Sequence, residues 1–130
     1  MDVSVTRTTY GAASHAWLAS AHGTDAARTV TLAIAAFTKA THYPDGHLPD
    51  GLPLAIPTSG TRAGLAVPVV DSASDGSQIL AGYLLHPVEV PTSGANPAGA
   101  LLDRGRVRTA ATPVATTATQ RATNVRFSYV

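Results

Sequence analysis

The stretch TVTLAIAAF, residues 29–37, alternates apolar with small or polar side chains. Val30, Leu32 and Ile34 fall on one side of the pattern, and Thr29, Thr31 and Ala33 on the other. This period of two marks a half-buried strand. Further along, LPLAI (52–56), a stretch at about 64–70 and QILAGYLLHPVEV (78–90) are also apolar and β-like. Gly82 inside the last predicts a bulge or a close backbone approach. ALLDRGRVRTAATPV (100–114) reads as a strand pair. NVRFSYV (124–130) reads as a short strand, with Val125, Phe127 and Tyr129 alternating with Arg126 and Ser128. Turn and loop signals lie between them at Asp71–Ser77 and at 91–99. ATTATQRAT (115–123) has room for one or two helical turns, although its four threonines lower the propensity. Many short strands with Pro/Gly punctuation predict a mainly β domain, α+β at most: a small β-barrel or sandwich-like unit with little helix.

Upstream of Thr29 the texture is different. Residues 1–28 are rich in Ala, Ser, Thr, Gly and His, and Gly11 and Gly23 interrupt any helical period. They read as an extended N-terminal arm with a short strand at Val3–Thr9 and one large anchor, Trp17. The expected division is therefore an arm over 1–28 and a β-rich domain over 29–130.

Composition limits what the domain can do. Val, Leu, Ile and Phe make up only 28 of 130 residues, while alanine contributes 24. So thin a core is commonly supplemented by oligomerisation. The formal net charge of +1 offers no global attraction to nucleic acid or to an anionic membrane. With no cysteine there are no disulfides and no thiolate metal sites. The beginning of the chain lacks the basic and apolar blocks of a secretory signal, and no run approaches the ~18 apolar residues of a membrane span. A soluble protein made in a cytoplasm is expected.

THYPDGHLPDGLPLA (41–55) holds a near-duplicated phrase, Tyr43-Pro44-Asp45-Gly46 followed by Leu48-Pro49-Asp50-Gly51. His42, Asp45, His47 and Asp50 are metal-ligand residue types, but Pro44 and Pro49 forbid the helical frame that a zinc pair needs. Pro-Asp-Gly instead specifies turns: Pro fixes φ, Asp bonds its own backbone, and Gly supplies positive φ. Pro44, Gly46, Pro49 and Gly51 are read as turn-forming, and no metal and no cofactor are expected. Catalysis has no constellation either. There is no nucleophile elbow and no phosphate loop, and Glu89 is the only glutamate, on a strand-like run. Arg104, Arg106 and Arg108 share one face of a strand, with Gly105 and Val107 on the other. They fit a partner's carboxylates or phosphates, or a solvated strand whose charges blunt edge pairing.

Several phrases resemble a known family. SHAWLASAHGT (14–24), TVTLAIAAFTKATHYPDGHLPDGLPLA (29–55), DSASDGSQILAGYLLHPVEV (71–90) and GALLDRGRVRTAATP (99–113) resemble, in order and rough spacing, the capsid cement proteins of tailed phages that infect actinobacteria. Those are distant relatives of the phage lambda head decoration protein. The most specific parts are H-Y-P-x-G-x-L-P-x-G, the D-G before the apolar strand, and G-x-V-R. Where the family pattern has a longer helix after Pro113, this chain has only VATTATQRATN. The resemblance implies a virion structural protein and not an enzyme. It would form homotrimers on the outer surface of the expanded head and stabilise the shell against packaged DNA. Its partner would be the major capsid protein, with no direct contact to nucleic acid or membrane. The N-terminal arm would act as a strap, with Val3, Val5, Arg7, Trp17 and Leu18 as its capsid contacts. The alternative is another β-rich virion or surface module, from a tail or an adhesion protein.

Overall fold

A computed structural model describes residues 15–21 and 23–130. Its centre is a five-stranded antiparallel sheet. In spatial order the strands are β1 (Arg28–Thr31), β7 (Ala98–Leu102), β5 (Gly82–Leu84), β3 (Pro53–Ala55) and β4 (Val67–Pro68). The sheet closes on itself. Just past β1, Leu32 forms a parallel bridge with Ala66, just before β4. Ala66 N–H donates to Thr31 O at 2.8 Å, and Ala33 N–H donates to Ala66 O at 2.9 Å. Closure removes both sheet edges and makes a small barrel, so the fold is mainly β.

Alternation along the strands sorts the core. Val30, Leu32, Leu54, Leu84 and Leu101 pack together with Ile34, Phe37, Leu48 and Leu52. Tyr83, Leu85 and Leu102, one residue out of phase, join a second cluster with Trp17, Leu80, Val107 and Phe127. Strands β5 and β7 are thus buried on both faces where they carry Tyr83-Leu84 and Leu101-Leu102, which is why their sequence is continuously apolar rather than alternating. Gly82 lies where a Cβ would stand 2.1 Å from the Leu102 carbonyl oxygen, so it marks a close backbone approach.

The outer cluster is roofed by β8 (Gly105–Val107) and β9 (Phe127–Tyr129), which pair in parallel. The expected pairing of β8 with β7 is corrected: Asp103 and Arg104 turn the chain away, and β8 joins the C-terminal strand instead. Val125, expected to face inward, is 93% exposed, because the chain turns at 125–126 before β9 begins. The 78–90 stretch contributes two short strands, β5 and β6 (Val88–Glu89), and β6 pairs with β2 (His47–Leu48). Helix α1 (Lys39–His42) ends before Pro44, and α2 (Ala118–Ala122) fills part of 115–123. A capping box starts α2: Gln120 N–H donates to Thr117 Oγ1 at 3.1 Å, and Thr117 N–H donates to Gln120 Oε1 at 3.0 Å. That cap offsets the low propensity of the threonines.

The arm reading is corrected over its described part. Trp17 is 1% exposed within the protein's own second core cluster. Residues 17–19 run beside β8, where Leu18 bridges Val107, Ala19 N–H donates to Arg106 O at 2.9 Å, and Arg108 N–H donates to Trp17 O at 2.7 Å. Few aliphatics did not leave this segment without a core, because one indole ring buries as much apolar area as two smaller side chains. Strand β1 begins at Arg28, so the fold shows no break at the expected 28/29 boundary. Val3, Val5 and Arg7, and the Val3–Thr9 strand, lie outside the described residues.

Candidate functional site

The duplicated phrase splits into two structures with different tasks. In the first half, Gly46 takes φ 84° and its N–H donates to Tyr43 O at 3.1 Å, which closes a turn over Pro44 and Asp45. A Cβ on Gly46 would meet nothing within 4 Å. In the second half, Asp50 and Gly51 are buried and Pro49 is half-buried. Gly51 takes φ 86°, and its N–H donates to Leu84 O at 2.7 Å. The Asp50 carboxylate, 6% exposed, accepts from Trp17 Nε1 at 2.7 Å and from the His15 backbone N–H at 3.0 Å, both at Oδ2. A Cβ on Gly51 would stand 2.8 Å from the indole, so glycine is required here for space as well as for φ.

His15 completes this latch. Its Nε2 lies 2.9 Å from Leu85 O and so carries the proton there, since a carbonyl only accepts. The same nitrogen is 3.9 Å from Asp50 Oδ2, and the ring is tilted on His86 at 5.5 Å. Trp17 stacks on Tyr83 at 5.8 Å. The arrangement holds residues 15–19 against the barrel by two charge-assisted hydrogen bonds to Asp50, the bond from the His15 ring to Leu85 O, one aromatic stack and two main-chain bonds to β8 and Arg108. Asp50 was read from sequence for its backbone tendency. The signal for its second role is the Trp17 N–H, a donor that needs a partner once buried.

The structure does not gather the other ligand-type residues around Asp50. His42 ends α1, where its Nδ1 accepts from Thr38 N–H at 2.8 Å and its ring packs edge-on against Phe37. Burial pushes the His42 pKa below its ordinary value. Asp45 sits exposed in the first turn, and His47 pairs with Glu89 across β2 and β6. Among the described residues no three His, Asp or Glu side chains form a group that could hold a metal ion.

Two buried hydroxyls stand out in the outer cluster. Among the described residues neither Tyr83 Oη nor Tyr129 Oη has a partner in good hydrogen-bond geometry, although the two hydroxyls lie near each other and near Thr116. Desolvation raises both phenol pKa values, Tyr129 further because Tyr83 lies beside it. The folded protein then resists losing these protons while the unfolded chain loses them near pH 10. Stability should be complete below about pH 10 and fall as pH rises above it. Thermal melts from pH 8 to 11 check this, and Tyr129→Phe should flatten the decline. Because the hydroxyl it removes has no partner in good geometry among the described residues, the same variant should lose less than about 1 kcal/mol at pH 7.

Arg106 lies on β8, and Arg104 and Arg108 flank it; all three are exposed, with Gly105 and Val107 buried between them. Arg108 Nη1 lies 3.3 Å from Ala16 O, and Arg104 Nε lies 3.4 Å from Asp103 Oδ1. Among the described residues no helix is long and apolar enough to cross a membrane. Comparison with protein-family models, with curated proteins and with solved structures finds no match to this chain.

Proposed function

We propose that this chain is a phage capsid decoration protein, a cement that binds the outer surface of the expanded head as trimers through the major capsid protein. The reading rests on the ordered resemblance of four phrases across 14–113 to capsid cement proteins. Its most specific phrase, residues 42–51, builds the turn and latch that set the N-terminal segment on the barrel. A thin core and a neutral, Cys-free surface suit a part completed by assembly, where three-fold symmetry multiplies weak contacts. The virion surface is the proposed location, and the function is mechanical, with no catalysis. Because Trp17 belongs to the barrel, the strap is confined to residues before His15, with Val3, Val5 and Arg7 as its capsid contacts. Strand addition by such a segment would supply main-chain bonds in return for its ordering entropy.

The test is co-sedimentation of purified protein with expanded, undecorated heads of an actinobacterial tailed phage. Saturable binding in multiples of three per local three-fold position supports the reading. No binding to heads, with binding to tails or host surface instead, sinks it and favours the tail or adhesion alternative. Deleting residues 2–14 should weaken head binding at least about tenfold, since each subunit of a trimer loses one contact. Deleting residues 2–27 should also remove Trp17 and collapse the melting transition.

A further inference from the structure

We propose that the outward face of β8 and β9, together with the open edge of β9, docks an extended acidic segment of a partner protein. The first observation is charge. In the parallel register Arg106 stands beside Ser128. One step earlier Arg104 stands beside Arg126, whose carbonyl oxygen accepts from Gly105 N–H at 3.4 Å. With Arg106 on the ladder, Arg104 and Arg108 at the two ends of β8 and Arg126 just before β9, four exposed arginines gather around one two-stranded ladder. Among the described residues Asp103 is the only carboxylate that pairs with any of them. Like charges side by side on a sheet are destabilising, so Arg104 and Arg126 form an arrangement that an incoming anion relieves. Arginine rather than lysine provides the planar fork that grips a carboxylate with two bonds.

The second observation is the edge. On one side β8 is covered by residues 17–19, and on the other by β9; no strand pairs with the far side of β9 among the described residues. The hydrogen bonds to β8 use Arg126 O and Val130 N–H, so the main-chain groups of Phe127 and Tyr129 point away from the ladder. An added strand would bond to those groups. Its alternate side chains, about 6.7 Å apart, would lie on the arginine face. Ser128, the in-register neighbour of Arg106, is small and exposed, so the β9 side of that face carries no bulky side chain next to Arg106. An open depression of about 360 Å³, lined by Ser20, Gly105, Arg106, Val125, Arg126 and Ser128, lies over the start of the ladder, between Arg106 and Arg126. A carboxylate-bearing segment fits better than single-stranded nucleic acid, because Trp17 and Phe127 are buried and leave no aromatic platform for stacking bases beside these arginines among the described residues. The proposal does not depend on head decoration and has its own test.

The probe is a short extended peptide alternating glutamate and valine, titrated into the full chain labelled with ¹⁵N. Expected are shifts at Arg106, Arg126, Phe127 and Tyr129, slowed amide exchange at Phe127 and Tyr129, and affinity that falls with salt. Arg106→Glu with Arg126→Glu should weaken binding at least about tenfold. Arg62→Glu, in the separate cleft lined by Thr38 and Val70, should leave it unchanged. Circular dichroism of each variant shows that it is folded. No peptide binding up to millimolar concentration overturns the proposal. So does equal binding of the same peptide with lysine for glutamate, or indifference to the double substitution. Tighter binding of a single-stranded oligothymidylate would assign the face to nucleic acid instead.

Discussion

Trp17→Ala is expected to lower the stability of the free protein by about 3–5 kcal/mol, the usual cost of emptying a large aromatic site in a core. The indole is fully enclosed between Tyr83, the Gly51 backbone and residues of β8. Its removal takes away the stack and leaves Asp50, a buried carboxylate, with the His15 amide as its remaining short hydrogen-bond donor. Loss of a donor to a buried charge adds to the cavity cost. For a domain of this size the loss amounts to a drop of roughly 10 °C or more in melting temperature. Urea denaturation followed by circular dichroism measures it. A change under about 1 kcal/mol would mean that the ring is not part of the core.

The second large effect separates the two halves of the duplicated phrase. Gly51→Ala should cost about 3 kcal/mol or more: about 1–2 for a side chain in the left-handed region, and the rest for a Cβ driven into the indole. Gly46→Ala should cost only the first part, about 1 kcal/mol, because its surroundings are open. The two glycines have nearly the same φ, 84° and 86°, so the difference isolates the crowding by Trp17. Equal losses in the two melts would contradict the latch.

The barrel was legible where burial is one-sided. Thr29 and Thr31 are exposed and Val30 and Leu32 buried, so a period of two could be seen. It was less legible where both faces are covered. QILAGYLL has no alternation, and only the structure shows that the strand within it is limited to Gly82–Leu84. β8 and β9 illustrate a different limit. The arginine alternation was visible, but parallel pairing joins segments about twenty residues apart, and local pattern carries no register for that. The latch was the least legible part. Trp17 and Asp50 are 33 residues apart, and a Pro-Asp-Gly triplet advertises a turn whether or not its carboxylate is buried. The composition of residues 1–28 suggested an extended arm, yet over 15–19 a single indole with a specific acceptor sufficed to order the chain.

The latch fixes His15 and Trp17 on the barrel, and the proposed strap is read from that anchor. Trp17 is the only tryptophan, so its indole N–H gives a single, unambiguous resonance. Hydrogen exchange of that proton in the full-length protein tests the latch most directly. Protection close to that of the core amides of Leu84 and Leu101 is predicted, since release of the N–H would require opening the domain. Exchange as fast as in an unstructured peptide would show Trp17 free in solution, and the account of residues 15–19 as part of the barrel would be wrong.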